Sequence, residues 1–482
     1  MLFNSLDFAI FLPIVFILYW FVTNKNLKLQ NLLIVVASYV FYGWWDWRFL
    51  SLILFSTLVD YTVGMKLKDE SRSSRRTTLL WISICVNLGF LGFFKYYNFF
   101  LDNFVTAFRF FGSEFNVSSL NIILPVGISF YTFQTLSYTI DVYKKKLEPT
   151  KDFVAFAAFV SFFPQLVAGP IERATNLLPQ FYKKRTFDYN KAVDGLKQIL
   201  WGMFKKVVIA DNAAQIANEI FNNSGDYSGS TLAVGALFFA FQIYGDFSGY
   251  SDIAIGTSRL FGFDLMKNFA FPYFSRDIAE FWRRWHISLS TWFRDYLYIP
   301  LGGSKGGTRM KVRNTFIIFI VSGFWHGANW TFIVWGALNA IYFLPLLLTK
   351  KNRQNIEVVA EGKLLPGLKD VFKILTTFGL TLIAWVFFRA RDIGHAFDYL
   401  AEMFSTSIFT SVSFEGQENL MNMTYILIFF IVIEWLGRDQ EHAIARLGQN
   451  FKRPIRWAIY YGILLLMIYM RGAQQEFIYF QF

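Results

Sequence analysis

Residues 321–330 read VSGFWHGANW, and they lie between two apolar runs, NTFIIFI before them and TFIVWGALNAIYFLPLLL after them. The chain has only four histidines, and one of them, His326, stands inside this apolar region. An ionisable side chain at membrane depth is costly, and it usually faces a cavity or a partner. The other interpretation is a neutral histidine that bonds a neighbouring carbonyl group. His326 is therefore the first candidate for a functional residue.

The composition is that of a membrane protein. Of the 482 residues, 55% are hydrophobic and 17% are charged, whereas soluble domains average about 25% charged residues. Several apolar runs approach the roughly 20 residues that a helix needs to cross a bilayer. Because lipid offers no partners to backbone groups, these runs are expected to be helical. The sequence predicts an all-α polytopic membrane protein that forms one domain over residues 1–482.

The net charge of +12 is not read as a nucleic-acid signal. The basic residues form short clusters between apolar runs, and such clusters mark cytoplasmic loops. Residues 257–313 hold ten Lys or Arg against four Asp or Glu, and residues 392–422 hold no Lys or Arg. The first segment is expected in the cytoplasm and the second outside. Both chain termini are then predicted to be extracytoplasmic, and residues 6–22 form a retained first span.

Hydropathy places ten full crossings and several broken segments. Residues 95–112 are predicted to lie along the outer surface, 153–170 to be re-entrant, and 314–326 to form a half-span that breaks at Gly323 and Gly327. The crossings are residues 6–22, 30–45, 49–65, 77–94, 121–142, 198–219, 231–255, 371–388, 423–437 and 455–470. Residues 328–349 return from the half-span. Broken segments at this depth are tolerated where protein or a cavity covers them.

A second histidine falls in FWRRWHISLSTWFRDYLYIPLGG, residues 281–303. Its aromatic and leucine positions follow the spacing of one helix face: Trp282, Trp285, Leu289, Trp292 and Tyr296. His286 lies at the edge of this face, which predicts that it points inward. Arg283 and Arg294 fall on another side. They are either topological charges and lipid-headgroup partners or ligands for a phosphate-rich donor.

A third candidate is YGDFSGYSDIAIG, residues 244–256. Asp246 and Asp252 lie near the inner half of a predicted crossing, together with Ser248 and Tyr250. Carboxylates inside a membrane indicate a functional pathway, and hydrogen bonding between helices is the alternative. The stretches LPVGISFYTFQTLSY (124–138) and FPQLVAGPIER (163–173) show the same polar groups in apolar surroundings, which suggests helices that open to line a cavity.

The histidines indicate acyl transfer. The chain has no phosphate loop, no nucleophile elbow and no zinc-binding helix of known pattern, and two histidines without Cys or paired carboxylates make a poor metal site. A neutral imidazole, with an unperturbed pKa of about 6.5, can accept a proton from a hydroxyl group. Transfer of an acyl group directly to an alcohol fits these residues.

The chain resembles the membrane-bound O-acyltransferase (MBOAT) family, and within it the bacterial branch that serves alginate O-acetylation. The resemblance runs nearly end to end. It rests on PVGISFYTFQTLSYTIDVY, FPQLVAGPIER, YGDFSGYSDIAIG, FWRRWHISLSTWFRDYLYIPLGG, SGFWHGANWTFIVWG and the closing FIYFQF. It implies a ring of about ten or more transmembrane helices with re-entrant segments around a central tunnel, and a catalytic core region at residues 257–330.

The resemblance also implies roles for single residues. His326 corresponds to the catalytic histidine of the family and His286 to its second active-site histidine, while Arg283 and Arg294 would suit donor phosphates. Other side chains are expected to line the substrate site or tunnel: Trp325, Asn329, Ser322, Asp246, Ser248, Tyr250, Asp252, Gln134, Trp282 and Trp285.

The expected acyl donor is cytoplasmic acetyl coenzyme A, with no bound cofactor or metal. The expected partner is an extracytoplasmic acetyltransferase or polysaccharide-modifying protein, besides membrane lipid, and the expected location is the bacterial inner membrane. The product would be an O-acetylated exported polysaccharide such as alginate.

Three alternatives stay open at this point. The teichoic-acid D-alanylation branch shares both histidine motifs and takes its acyl group from a carrier protein, but extra residues around 351–422 favour the acetylating branch. A transporter would use the histidines for structure or as proton relays, although no inverted repeats are visible. A scaffold for polysaccharide export would need neither histidine.

Overall fold

The computed structural model describes residues 1–110, 119–167 and 169–478, and every regular element in these ranges is a helix. The chain forms two compact units. The first contains residues 1–192 and 257–266, and the second contains residues 193–256 and the chain from Lys267 onward. Two helices have residues in both units. The all-helical prediction is confirmed, whereas the single domain, the ring and its tunnel stay predictions.

The first unit is built from the N-terminal helices. They are α1 (Leu6–Ile17), α2 (Leu27–Asp46), α3 (Leu50–Asp69), α4 (Ser73–Leu91), α5 (Tyr97–Phe110), α6 (Ile128–Tyr143), α7 (Phe153–Ser161), α8 (Phe163–Leu166) and α9 (Ala174–Leu177). The predicted re-entrant segment 153–170 is indeed broken, because α7 and α8 are separate short helices. Ala168 in that segment lies outside the described residues.

A buried polar network joins α3, α4 and α6 inside this unit. The Asp60 carboxylate, which is fully buried, accepts hydrogen bonds from the Asn87 amide at 2.9 Å and the Thr139 hydroxyl at 2.9 Å. The Ser83 hydroxyl donates to it as well. Because a buried carboxylate is costly unless it is well hydrogen-bonded, these donors fix the packing of the three helices.

The second unit carries the remaining helices, and α10 and α12 also reach into the first. They are α10 (Tyr189–Phe204), α11 (Asp211–Asn222), α12 (Gly229–Leu260), α13 (Ile278–Arg284), α14 (Ile287–Phe293), α15 (Gly307–His326), α16 (Trp330–Leu348), α17 (Leu368–Arg389), α18 (Ile393–Met403), α19 (Leu420–Leu436) and α20 (Arg453–Tyr469). Its core is rich in large aromatic side chains, among them the fully buried indoles of Trp201, Trp285, Trp335 and Trp385.

Six helical stretches in the described part of the chain are long and apolar enough to cross a membrane. This number is below the predicted ten partly because α2 and α3, joined by a short 3-10 turn, count as one stretch of 43 residues. The stretches are Leu27–Asp69, Ser73–Phe110, Gly229–Leu260, Trp330–Leu348, Leu368–Arg389 and Gln417–Leu436. Shorter apolar helices cover Leu6–Val22 and Phe153–Leu166. The polytopic membrane character is thus confirmed.

Two predicted boundaries are wrong for physical reasons. Residues 77–94 and 95–110 form one continuous helix of 38 residues from Ser73 to Phe110, because a π turn at Gly92–Tyr96 carries the backbone on without a break. Residues 111–112 of the predicted surface helix lie outside the described residues. The predicted half-span 314–326 is the end of the 20-residue α15. The hydropathy-based prediction left out the basic first turns of α15. A helix can include such residues because their long side chains can reach polar surroundings.

Candidate active site

His286 lies at a break between the short helices α13 and α14. Its φ of 43° and ψ of 54° place it in the left-handed region, which is uncommon for residues other than glycine. The predicted single helix over residues 281–303 is therefore wrong, because side-chain spacing cannot register a break between two helical halves. Strained backbone of this kind clusters at functional sites. The imidazole itself is buried, with 1% of the residue exposed.

A neighbouring segment holds this break in place. The backbone N–H of Ile287 donates to the carbonyl oxygen of Asn268 at 2.9 Å. The Asn268 side-chain oxygen accepts from the Ser288 hydroxyl at 2.9 Å, and its amide donates to Ser251 Oγ at 3.0 Å. Asn268 is fully buried. The sequence analysis missed it, because one asparagine outside a periodic segment carries no signal.

His326 is the last residue of α15, and Gly327 after it is extended. The predicted break at Gly327 is confirmed, but the break at Gly323 is wrong because the helix continues through it. A Cβ atom at Gly323 would lie 2.2 Å from the carbonyl oxygen of Phe332, and one at Gly336 would lie 2.3 Å from a carbonyl oxygen of α15. These glycines let the backbones of α15 and α16 touch, which fixes the end that carries His326.

The indole of Trp325 lies near both histidine rings. Its ring centroid is 6.0 Å from that of His286 and 4.9 Å from that of His326. The His326 ring also packs against Trp335 at 5.1 Å and Phe388 at 5.3 Å. All these side chains are buried. The structure thus brings the two predicted histidines to one aromatic enclosure from which bulk water is excluded.

A cavity of about 260 Å³ runs beside α14 and α15. Its lining includes Ser290, whose N–H donates to the His286 carbonyl oxygen one turn earlier at 3.0 Å, and Ser322, one turn before His326. Residues one turn apart lie on the same face of a helix. The cavity lining thus includes a residue four positions from each histidine along the chain, while neither imidazole is itself among the lining residues.

Trp282 also lines this cavity, and its indole N–H donates to the Asn339 side-chain oxygen at 3.2 Å. Two other predicted residues stabilise the surroundings. Trp285 is buried with its ring centroid 5.0 Å from that of Trp385. Asn329 caps α16 and donates to the Arg391 carbonyl oxygen at 2.8 Å. The cavity wall thus includes Trp282, while Trp285 and Asn329 act through packing and capping.

The two aspartates of α12 are paired with consecutive lysines. Asp252 lies 2.5 Å from Lys205 Nζ, and Asp246 lies 2.8 Å from Lys206 Nζ. Both lysines belong to a π-helical stretch, Lys205–Ala210, between α10 and α11. Buried charges are tolerated when they are paired and hydrogen-bonded. The sequence did carry a signal for this pairing, because two lysines and two aspartates stand in successive apolar segments. The prediction did not connect them.

The C-terminal segment packs against the same part of α12. The N–H of Ile478 donates to Asp246 at 2.7 Å, and the Phe477 ring lies 4.3 Å from that of Tyr250. Ser248, also predicted, is buried, and its hydroxyl has no hydrogen-bond partner among the described residues. Residues 479–482 of the closing FIYFQF motif lie outside the described residues.

The predicted arginines occupy different positions. Arg294 lines the cavity and pairs with Asp295, its Nε lying 2.7 Å from the carboxylate. Arg283 donates to two backbone carbonyl groups, those of Asn352 and Asn355, both at 2.7 Å. Gln134 belongs to the first unit, where its amide donates to the Phe159 carbonyl oxygen at 2.5 Å and ties α6 to α7.

The chain matches known proteins over most of its length. The profile of the membrane-bound O-acyltransferase family, MBOAT, matches residues 44–387. A probable alginate O-acetylase AlgI of Azotobacter vinelandii is 40% identical over 92% of this chain and 86% of that protein. A peptidoglycan O-acetyltransferase of Helicobacter pylori is 33% identical over 100% and 98%. A teichoic acid D-alanyltransferase of Streptococcus thermophilus is 31% identical over 55% and 68%.

These matches show that the chain belongs to the membrane-bound O-acyltransferase family. The helical fold and the two buried histidines described above agree with this. It is an O-acyltransferase of the membrane, and the resemblance to the bacterial O-acetylation branch is confirmed. Membership of a family of acyltransferases excludes the transporter and scaffold alternatives as the main function.

Proposed function

We propose that the protein transfers an acetyl group from cytoplasmic acetyl coenzyme A toward the hydroxyl groups of an exported cell-surface polysaccharide of the alginate type. One observation carries this proposal: the two histidines belong to one aromatic enclosure, and a single cavity is lined by Ser290 and Ser322, each four residues from one of them. A cavity of about 260 Å³ suits the thioester arm of coenzyme A. The O-acetylases that match most of the chain support acetyl as the acyl group.

In this proposal His326 acts as the general base. Its neutral imidazole takes the proton of the acceptor hydroxyl while the hydroxyl oxygen bonds to the thioester carbonyl carbon. When the tetrahedral intermediate collapses, the carbon–sulfur bond breaks, and the leaving coenzyme A sulfur takes the proton from His326. His286 orients the thioester and polarises its carbonyl group. The aromatic enclosure limits hydrolysis of the donor because it excludes water.

The direction of transfer follows from the charges. The basic segment 257–313 carries α13, α14 and the cavity residue Arg294, so we place the donor side in the cytoplasm. The acetyl group then leaves on the outer side, where an extracytoplasmic acetyltransferase or polysaccharide-modifying protein receives it. The location would be the bacterial inner membrane, with both chain termini outside.

Radiolabelled acetyl coenzyme A tests this function. Purified protein in detergent is expected to bind the donor and to release coenzyme A when an acceptor polysaccharide is added, and inverted membrane vesicles that enclose polysaccharide are expected to incorporate the label. D-alanyl carrier protein is the comparison donor. Folded protein that does not bind acetyl coenzyme A but accepts a D-alanyl group from the carrier would contradict the proposal and favour D-alanyl transfer.

A further inference from the structure

The loop after α16 brings an arginine to the cavity that sequence reasoning did not select. The loop passes through Lys350, whose φ of 57° turns the chain sharply, and it places Asn352 and Arg353 in the cavity lining. The side chain of Arg353 is exposed and has no hydrogen-bond or ion-pair partner among the described residues. A guanidinium group is therefore available at the solvent end of the cavity.

Three arginines hold this loop by its backbone. The two terminal nitrogens of Arg283 donate to the carbonyl oxygens of Asn352 and Asn355, both at 2.7 Å. Arg276 and Arg284 donate to the carbonyl oxygen of Glu357 at 2.7 Å and 3.0 Å. Charge-assisted bonds from a planar guanidinium fork fix geometry well. The loop position therefore depends on these arginines rather than on contacts of Arg353 itself.

Carboxylates in turn fix two of the three arginines. Glu280, which is 1% exposed, pairs with Arg276 at 3.0 Å and with Arg284 at 2.8 Å. The side-chain amide of Asn355 donates to Asp277 at 2.6 Å. The start of α13 and the loop thus form one hydrogen-bonded assembly. Arg283 is occupied by carbonyl groups in this assembly, so its position suits holding the loop better than binding phosphate.

A second guanidinium faces the same cavity. Arg294 lies in the helical turn after α14 and lines the cavity together with Arg353, Ser304 and Tyr298. Its side chain is 59% exposed, and its partner is the adjacent Asp295. Two arginines and the hydroxyl groups of Ser304 and Tyr298 line one part of the cavity, and the buried Ser322 lines another, which suits a ligand with anionic groups on one end and a thioester on the other.

We propose that Arg353 and Arg294 together bind the phosphate groups of the acyl donor, and that Arg283 is the positioning residue that holds the Arg353 loop in place. This inference rests on the proposed function. With both arginines in place, the site binds free coenzyme A, which carries the phosphate groups, more tightly than pantetheine, which lacks them. Arginine is suited to this task because its fork binds phosphate oxygens in pairs.

Ligand binding to full-length protein in detergent tests the proposal, with coenzyme A and pantetheine compared by calorimetric titration. Arg353→Ala is expected to weaken coenzyme A binding about 10- to 100-fold, the range of a charged hydrogen bond, and to leave pantetheine binding unchanged. Arg283→Ala is expected to weaken coenzyme A binding by a similar factor and to leave pantetheine binding unchanged, because it releases the Arg353 loop. Lys351→Ala, which removes an equal charge from the same loop outside the cavity lining, is the matched control and should stay within about twofold.

The double variant tests the positioning role. If Arg283 acts through the Arg353 loop, the loss in Arg283→Ala with Arg353→Ala is no larger than the greater single loss, and additive losses overturn this role. The phosphate-binding role of Arg353 is overturned if Arg353→Ala binds coenzyme A as tightly as wild type does. It is also overturned if the variant loses affinity for pantetheine by the same factor as for coenzyme A. In either case wild type that still releases coenzyme A from acetyl coenzyme A leaves the proposed function standing. Folded wild type that binds neither ligand overturns both.

Discussion

Lys206 and Asp246 form an ion pair inside the second unit, with 2.8 Å between Nζ and a carboxylate oxygen and side chains 2% and 3% exposed. The same Nζ lies 2.9 Å from Asp211. One lysine therefore pairs with two carboxyl groups that have almost no access to solvent. Removal of one member of a buried pair leaves an uncompensated charge, which is strongly destabilising.

Lys206→Met is expected to lower the free energy of unfolding by about 3–5 kcal/mol, measured by titration with sodium dodecyl sulfate. The triple variant K206M/D211N/D246N should recover most of this loss, because no buried charge is left alone. Lys191→Met is the matched control, since its pair with Asp264 is exposed and worth less than about 1 kcal/mol. Equal losses in Lys206→Met and Lys191→Met would contradict the account.

Gly323→Ala is expected to destabilise the contact of α15 with α16 and to lower acyl transfer, because the added Cβ meets the backbone of Phe332 at 2.2 Å. Backbone cannot move aside as a flexible side chain does, so the helices must separate near His326. Gly379→Ala in α17 is the control, since nothing lies within 4 Å of its Cβ. That control should be neutral or stabilising by up to about 1 kcal/mol. Wild-type activity in Gly323→Ala would refute the packing argument.

Glu172 makes stability depend on pH. It is fully buried in the loop before α9, where its carboxylate accepts from Asn176 at 2.7 Å and from the Met266 N–H at 2.5 Å. Burial raises its pKa from 4.5 to about 7. Between these values the folded state holds a proton that the unfolded state has released, so stability falls as pH rises.

Glu172→Gln cannot ionise and should flatten this decline, which amounts to at most about 1.4 kcal/mol per pH unit. The measurement is the unfolding free energy of both proteins at several pH values from 5 to 7.5. Identical slopes in wild type and variant would show that Glu172 does not titrate in this range.

His286→Asn separates the backbone role of this position from its chemistry. Asparagine adopts the left-handed region more readily than most residues, so the break between α13 and α14 should persist and the variant should unfold like wild type. Acyl transfer should fall about 100-fold or more, the range for loss of a group that polarises the reacting carbonyl. A stable variant with full activity would reduce His286 to a structural residue.

The sequence predicted the features that depend on composition and on local motifs. Apolar runs indicated helices, and the helix end at Gly327 followed from the glycine after His326. The two histidines stood out because an imidazole is rare in an apolar run. Their motifs also carried the family, which the matches over most of the chain confirm.

Features that depend on contacts between distant segments escaped prediction. Gly323 looked like a helix breaker, but its role depends on Phe332 in another helix. The break at His286 depends on Asn268, whose backbone and side-chain oxygens accept hydrogen bonds from the N–H groups of Ile287 and Ser288. Asp246 was predicted either to belong to a pathway or to bond between helices, and its partner Lys206 could not be identified from the sequence. A single sequence shows no such pairs.

The most direct test of the central claim is a single-turnover measurement of coenzyme A release from acetyl coenzyme A by His326→Gln in the presence of the acceptor polysaccharide. His395→Gln is the matched control, because His395 bonds Ser224 and the Arg391 backbone and packs against Tyr399 rather than against Trp325 and Trp335. The account predicts that His326→Gln binds the donor like wild type and releases coenzyme A at least about 100-fold more slowly, while His395→Gln keeps the wild-type rate. Release at the wild-type rate by a folded, donor-bound His326→Gln protein would contradict it.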